Sequence, residues 1–247
     1  MNEIFTALVY QPVYNLLVFF AGLFPVANFG LAIIASTLVI KLVFLSLSKQ
    51  QIEAQRKMQE LQPKMKEVQE RYKDDKERQS REIMELYRKH KVNPVMGCLP
   101  IVIQIVFLIT IYSVIMHISE TGFRVDGGIL YRFVADPGLL SGAFFGLADL
   151  AKPSIAFAVL AAIGQFYQMK MLSLGQNGKE KPSKNGGEPD FATIMNKQML
   201  YMGPVLTLFI GIRFPSALSL YWVVSTAFAI VQQWYVLRSG AGDKASE

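Results

Sequence analysis

The sequence predicts an all-α polytopic membrane protein. Five transmembrane helices surround a hydrophilic groove open to the cytoplasm, joined by a cytoplasmic helical hairpin and preceded by an interfacial helix. Three observations carry this. First, 52% of the 247 residues are hydrophobic, mean hydropathy is +0.30, and the apolar residues are blocked into long runs. The short alternating segments of a transmembrane β-barrel are absent. Second, the cations crowd into two of the connecting segments. Third, a lone lysine, Lys41, interrupts the first apolar run, LAIIASTLVIKLVFLSL, where a cation costs several kcal/mol unless it meets water or a partner.

The elements follow in order. Residues 1–25 hold an apolar stretch, 4–24, interrupted by Gln11, Pro12 and Asn15; the preferred reading is an amphipathic helix lying on the outer surface, and the alternative is a further span, which would put the N-terminus inside and leave every later loop in place. No Lys or Arg precedes Lys41, so the basic start of a secretory signal is not expected. The first span is 26–48. The second, 93–118, is unambiguous, and the third, 153–173, is convincing. The fourth, 191–213, is weaker, because Asn196, Lys197 and Gln198 leave only Met199–Ile212 strongly apolar. The fifth, 216–238, ends in Trp234-Tyr235, an interfacial anchor pair. The turn Arg213–Ser216 forces the last two spans into an antiparallel hairpin. Residues 119–152 form an outer loop, 174–190 a flexible cytoplasmic loop, and 239–247 a short cytoplasmic tail.

Orientation follows from charge. Residues 49–91 hold thirteen Lys and Arg and 170–197 hold five, against three in 119–152. The first two segments therefore lie in the cytoplasm, which places the N-terminus outside and the C-terminus inside. Within 49–92, Met58, Leu61, Met65, Val68 and Tyr72 repeat at 3-4-3-4 spacing, the seam of a helix. Lys73-Asp74-Asp75 reads as a turn, and Ile83, Leu86, Tyr87 and His90 line a return helix. The seam pairs the two helices, leaving charged flanks for a partner. Pro63 is expected to kink or weaken the first helix.

Polar stripes mark the membrane helices. Gly30, Thr37, Lys41 and Ser48 fall on one face of the first span; Gly97 and Gln104 share a face of the second; Ser154 and Gln165 align on the third. Ser219, Thr226 and Gln233 recur every seven residues on the fifth. Taken singly, such residues bond helices together. Packing gives no reason to choose a lysine, so the stripes together outline a cytoplasm-open polar cavity with Lys41 at its inner part. No reaction chemistry assembles there. Ser48 is two turns from Lys41, about 10 Å in rise, too far for a nucleophile–base pair. Neither a phosphate loop nor HExxH occurs, His90 and His117 lack ligand spacing, and Cys98 is the only cysteine. Catalysis, cofactor and metal are not expected.

From 29 to 238 the chain resembles the YidC/Oxa/Alb membrane-protein insertases. The resemblance rests on Leu61–Gln104, with Asn93, Pro94, Gly97, Cys98, Leu99, Pro100, Ile103 and Gln104 as NPxxGCLPxxIQ, and on FPSALSLYWVVSTAFAIVQQW from Phe214 to Trp234. It implies five core helices around a groove sealed on the outer side, in a bacterial inner membrane. The family's groove arginine aligns with Lys41, its neighbouring hydroxyl with Thr37 and its groove glutamine with Gln104. Tyr221 and Trp222 align with the pair that meets a substrate's transmembrane segment. Departures are the lysine itself, which lacks the bidentate guanidinium fork, Thr226 where Asn is common, and a tail without a long basic extension. Neither a large periplasmic domain nor a lipoprotein signal is expected.

The resemblance implies an insertase and chaperone for newly made membrane proteins, working by charge and hydration at Lys41, Thr37, Gln104, Thr226 and Gln233. The hairpin makes first contact. Nascent membrane proteins and lipids are its partners, the ribosome and a Sec translocon are further candidates, and sequence-specific nucleic-acid binding is not expected. A small channel or secondary transporter is the alternative, although paired broken helices and ion-coupling carboxylates are missing from the spans. A passive scaffold is a third.

Overall fold

The computed structural model describes residues 3–24, 27–93, 95–146, 148–173 and 191–242. The expected loop 174–190 lies outside the described residues, as does Pro94 of the second-span motif. The fold is built almost entirely of helices. α1 (Glu3–Phe5), a π-helical turn (Thr6–Tyr10) and α2 (Gln11–Leu23) run on as one segment. α3 (Phe29–Val43) and α4 (Leu45–Arg71) follow, then α5 (Lys76–Lys89) and α6 (Val95–Glu120). After a two-stranded antiparallel hairpin of β1 (Ala143–Phe144) and β2 (Ala148–Asp149) come α7 (Ile155–Ser173), α8 (Phe191–Gly211) and α9 (Ser216–Gly242).

By length and composition, Glu3–Leu23 and Val102–Glu120 can each cross a membrane, and Phe29–Val43 with Leu45–Met58 makes a third if read as one broken span. Ile155–Met171 and Leu200–Gly211 are shorter apolar helices. α7 packs along both α8 and α9, and α3 packs between α2 and α9. Outward-facing bulky residues such as Ile105, Ile163, Val205, Phe209 and Val231 stay exposed, a surface suited to lipid and costly in water.

The buried apolar core collects at one end of the bundle. It is made by Tyr14, Leu17 and Val18 of α2, Phe29 and Ile33 of α3, Ile111–Ile118 of α6, and Leu218 and Tyr221 of α9. The connection 121–154 is folded onto this end rather than looping freely. Its Val125, Leu140, Phe144 and Leu150 are buried in the same core. Backbone bonds fasten it: Phe29 N donates to Ser141 O (3.1 Å), Ser216 N to Lys152 O (2.9 Å) and Ala217 N to Leu150 O (3.2 Å). Asn28 caps α3 by accepting from Leu31 N (3.0 Å) while donating to Ala143 O (3.1 Å). We call this structure the cap.

The polar residues that interrupt the N-terminal segment face the cap. Asn15, 2% exposed, donates to Ile129 O (3.0 Å) and accepts from Tyr131 N (2.6 Å). Gln11 donates to the same Ile129 carbonyl (3.0 Å), and the Tyr14 hydroxyl accepts from Asp126 N (2.7 Å). The backbone of residues 126–131 thus finds hydrogen bonds on a helix face.

The helical hairpin forms as its seam requires. Asp75 caps α5 by accepting from Arg78 N (2.9 Å), so the turn falls at the expected Lys73-Asp74-Asp75. Leu61, Tyr87 and Val92 make a small core with Met58, Met65 and Ile83 against it. Val68 is half-buried, and Tyr72 lies under Arg78, 5.1 Å from ring centroid to guanidinium carbon. Burial pushes the Tyr87 phenol up from its usual value, and its hydroxyl donates to Met65 Sδ (3.3 Å). Helix α4 continues through Pro63. The large break lies elsewhere, at Phe44, where α3 and α4 meet at 66°.

Candidate functional site

The break at Phe44 changes where Lys41 sits. On a straight helix Lys41 would lie eight residues, about 12 Å, from Lys49. In the bent chain, three residues before the break contribute about 4.5 Å along α3, and five beyond it, inclined at 66°, contribute only about 3 Å. The break thus shortens the separation of Lys41 and Lys49 along α3 to roughly 7 Å, close to the reach of about 6 Å of an extended lysine. The break is held from outside the helix. Gln232 Nε2 of α9 donates to Leu45 O (3.2 Å), and the Phe44 ring packs edge-on to Phe107 of α6 at 5.6 Å.

Lys41 is half-buried, and among the described residues no ion pair or hydrogen bond engages its ammonium. Its position in the last turn of α3 places the charge beside the negative end of that helix, an interaction of roughly 0.3–1 kcal/mol. One turn deeper, Thr37 is 2% exposed and donates to Ile33 O (2.6 Å). Ser36 beside it is equally buried, and its hydroxyl finds no partner among the described residues.

Helix α9 supplies the facing polar groups. The Tyr221 hydroxyl lies beside the side chains of Gln104 on α6 and Ser225 on α9. This joins two of the residues expected in the site. Tyr221 is itself buried, while Trp222 is half-buried, so the pair does not present one shared surface. Thr226 turns toward α7, where a Cβ on Gly164 would stand 3.4 Å from its methyl. Gln233 is 2% exposed with neither side-chain polar atom paired among the described residues, and Gln51 Nε2 and Ser219 Oγ are in the same condition. Buried polar groups are ordinarily satisfied by protein or water, so these atoms mark a region that is hydrated or receives a polar guest.

Sequence reasoning missed Ser36, Ser225, Gln232 and Gln51. The first two are hydroxyls without spacing to distinguish them, and Gln51 follows Lys49-Gln50, which reads as solvated surface. Among the described residues, buried polar atoms without a hydrogen-bond partner occur at both ends: on His117, Ser119 and Ser219 near the cap, and on Gln51 and Gln233 toward the other end, where Leu42, Val43 and Val102 are exposed.

Residues 19–243 match the family model described as 60Kd inner membrane protein. A membrane protein insertase YidC of Fusobacterium nucleatum is 31% identical over 217 residues, covering 87% of this chain and 89% of that protein. Membrane protein insertase YidC of Rickettsia massiliae is 34% identical over 233 residues, and that of Rickettsia rickettsii is 34% identical over 231. In both Rickettsia comparisons the match covers 92% of this chain and spans only 38% of the longer protein. With a family match running through nearly all of the chain and a relative matched almost end to end, this protein belongs to the 60Kd inner membrane protein family of bacterial membrane proteins, the family of the YidC insertases.

Proposed function

We propose that the protein is a membrane insertase that moves a short hydrophilic segment of a newly made membrane protein partway across the bilayer while the adjoining span slides into lipid. The single observation that carries this is Lys41, a cation inside an apolar helix and unpaired among the described residues. Such a site is expensive unless water or a guest enters it. In this reading five spans cross the membrane: α3 with the start of α4, then α6, α7, α8 and α9. The segment α1–α2 lies at the outer interface, the cap faces outside, and the α4–α5 hairpin stands in the cytoplasm with the C-terminus.

The roles follow from position. Lys41 attracts acidic residues of the entering segment at the groove mouth. Thr37, Gln104 and Thr226 keep the groove polar behind it, Gln233 lies near the break where its neighbour Gln232 donates to Leu45 O, and Tyr221 lies beside Gln104. Trp222, with partial exposure, meets the incoming span. The hairpin, with Met58, Leu61, Pro63, Met65, Val68 and Tyr72 along its seam, offers charged flanks for first contact with the nascent chain, and the ribosome and a Sec translocon are the further partners this reading allows. The process needs no bond chemistry, since partitioning of an apolar span supplies the driving force.

Reconstitution in liposomes tests this. A single-span substrate with a short acidic tail is supplied, and protease protection of the tail is measured. Insertion by the unaltered protein that falls in Lys41→Ala and falls further in Lys41→Glu is expected. Equal insertion by all three proteins refutes the electrostatic role, and ion flux without insertion favours a channel.

A further inference from the structure

The cap carries three bulky apolar side chains that stay largely exposed, although Phe145 also meets the Phe144 ring at 4.9 Å and Phe133 stacks on Tyr131 at 5.5 Å. Phe133 is 81% exposed, Leu139 64% and Phe145 65%. Each is the immediate neighbour of a buried residue: Val134, Leu140 and Phe144 respectively. Those neighbours anchor the backbone. Val134 N donates to Tyr131 O (2.9 Å), Leu140 N donates to Phe123 O (2.8 Å), and Phe144 lies in β1 paired with Ala148. The three exposed residues are therefore displayed by a fixed scaffold. Phe145 is also held at φ +51°, a left-handed conformation that a bulky residue rarely adopts and that tends to persist where function requires it.

Isolated exposed apolar residues are ordinary on a protein surface. Three rigidly displayed on one short connection, one of them in a disfavoured conformation, point to a partner. Arg132, exposed beside Phe133, adds the cation that commonly sits next to an apolar side chain at a bilayer surface. The cap also runs directly in sequence into α7, whose first residue, Ile155, is 72% exposed and is followed by the exposed Leu160 and Ile163. The partner that surface meets is lipid.

We propose that the cap docks on the bilayer surface through Phe133, Leu139 and Phe145, whose side chains enter the boundary between headgroups and acyl chains. This rests on α6 and α7 being membrane spans, as the proposed function has them. Docking would hold the cap over the closed end of the bundle while the open end works.

The full chain, carrying Cys98→Ser and one of Phe133→Cys, Leu139→Cys or Phe145→Cys, is labelled with an environment-sensitive fluorophore and placed in phosphatidylethanolamine–phosphatidylglycerol vesicles. Lipids bearing a shallow nitroxide and aqueous iodide serve as opposing quenchers. Ile163→Cys reports a lipid-facing span position and Lys73→Cys the solvated hairpin turn. Strong nitroxide quenching at all three cap positions, with iodide quenching at least about threefold weaker than at Lys73→Cys, is the expected result for apolar side chains at the interface. Iodide quenching equal to that at Lys73→Cys, with Ile163→Cys still quenched by lipid, overturns the docking and leaves the spans intact. Protection from both quenchers overturns it in favour of a protein contact. Failure of lipid to quench Ile163→Cys overturns the span assignment and the docking together.

Discussion

Exchanging Thr37 and Lys41, as Thr37→Lys with Lys41→Thr, keeps composition and net charge while moving the cation one turn inward. Four residues of rise carry it about 6 Å deeper along α3. From the level of Lys49 the backbone attachment then lies about 13 Å away, against about 7 Å in the natural sequence, and a lysine covers only about 6 Å of either distance. A lysine at position 41 can therefore extend to about the level of Lys49, whereas one at position 37 stops about a turn short of it. Position 37 is 2% exposed, so the charge enters packed protein at a cost of roughly 2.5–3.5 kcal/mol. The hydrogen bond from Thr37 to Ile33 O is lost for about 1 kcal/mol more. A destabilisation of about 4 kcal/mol, or about a thousandfold in the folding equilibrium, is expected. Equilibrium unfolding in mixed micelles followed by circular dichroism reads it, and insertion of an acidic-tailed substrate is expected to fall to background. Stability within about 1 kcal/mol of the unaltered protein and undiminished insertion would show that depth along α3 is irrelevant, refuting the reasoning from the break.

Three other substitutions probe the scaffold. At Gly211 an added Cβ would stand 2.7 Å from Ala158 Cβ, 2.9 Å from Ser219 Oγ and 3.1 Å from the Ala158 Cα, so Gly211→Ala should cost about 1–3 kcal/mol. Gly22→Ala, with open space at its Cβ, should be neutral or gain up to about 1 kcal/mol in the same unfolding assay. Asn15→Leu strands the Tyr131 amide, which donates to Asn15 Oδ1; a loss of about 2 kcal/mol and faster proteolysis of the 121–154 segment are expected, and unchanged nicking would deny that α2 holds the cap. The Lys152 ammonium hydrogen-bonded to Asp149 (2.9 Å), aided by the Ala151 amide, holds the Asp149 carboxyl below its usual value. A carboxyl depressed in the folded state stabilises above its unfolded pKa, about 3.9, and loses that contribution as pH falls through the folded value. Melting temperature measured downward from pH 5 should therefore fall less steeply in Asp149→Asn than in the unaltered protein.

The parts legible in the sequence are those fixed by local pattern. The hairpin seam from Met58 to Tyr72 needs only its own partner helix, so spacing located both helices and the Asp75 turn. The break at Phe44 was illegible because Val43-Phe44-Leu45 contains neither proline nor glycine, the usual causes of a sharp kink. It depends on Gln232, 187 residues away in sequence, and on Phe107. Pro63, by contrast, is visible in the sequence as a candidate kink, and it lies inside α4. The cap was read as a featureless outer loop for the same reason that Asn15 and Gln11 were read as interruptions. Each makes sense only beside the other, through hydrogen bonds spanning more than a hundred residues. In the site, Lys41 and Gln104 stood out by residue type, whereas Ser36 and Ser225 acquire meaning only from burial and neighbours.

One face of α3 states the logic of the bundle in four residues. Gly30 is bare because the Phe144 ring of the cap fills the space a side chain would need. Thr37, seven residues on, satisfies its hydroxyl with its own helix. Lys41 meets no partner among the described residues, and Ser48 lies beyond the break, half-buried on α4. A helix face that passes from plugged, to self-satisfied, to unpaired charge cannot serve as a through-channel, because its first member is sealed by packed aromatic rings. In the proposed reading it lines a dead-end recess open at the Lys41 end. A guest entering such a recess exchanges water for polar groups step by step and never meets a continuous aqueous path. The cheapest exit for an apolar segment held there is sideways, across exposed residues such as Leu42 and Val102 and into lipid, the route that an insertase needs and a channel does not.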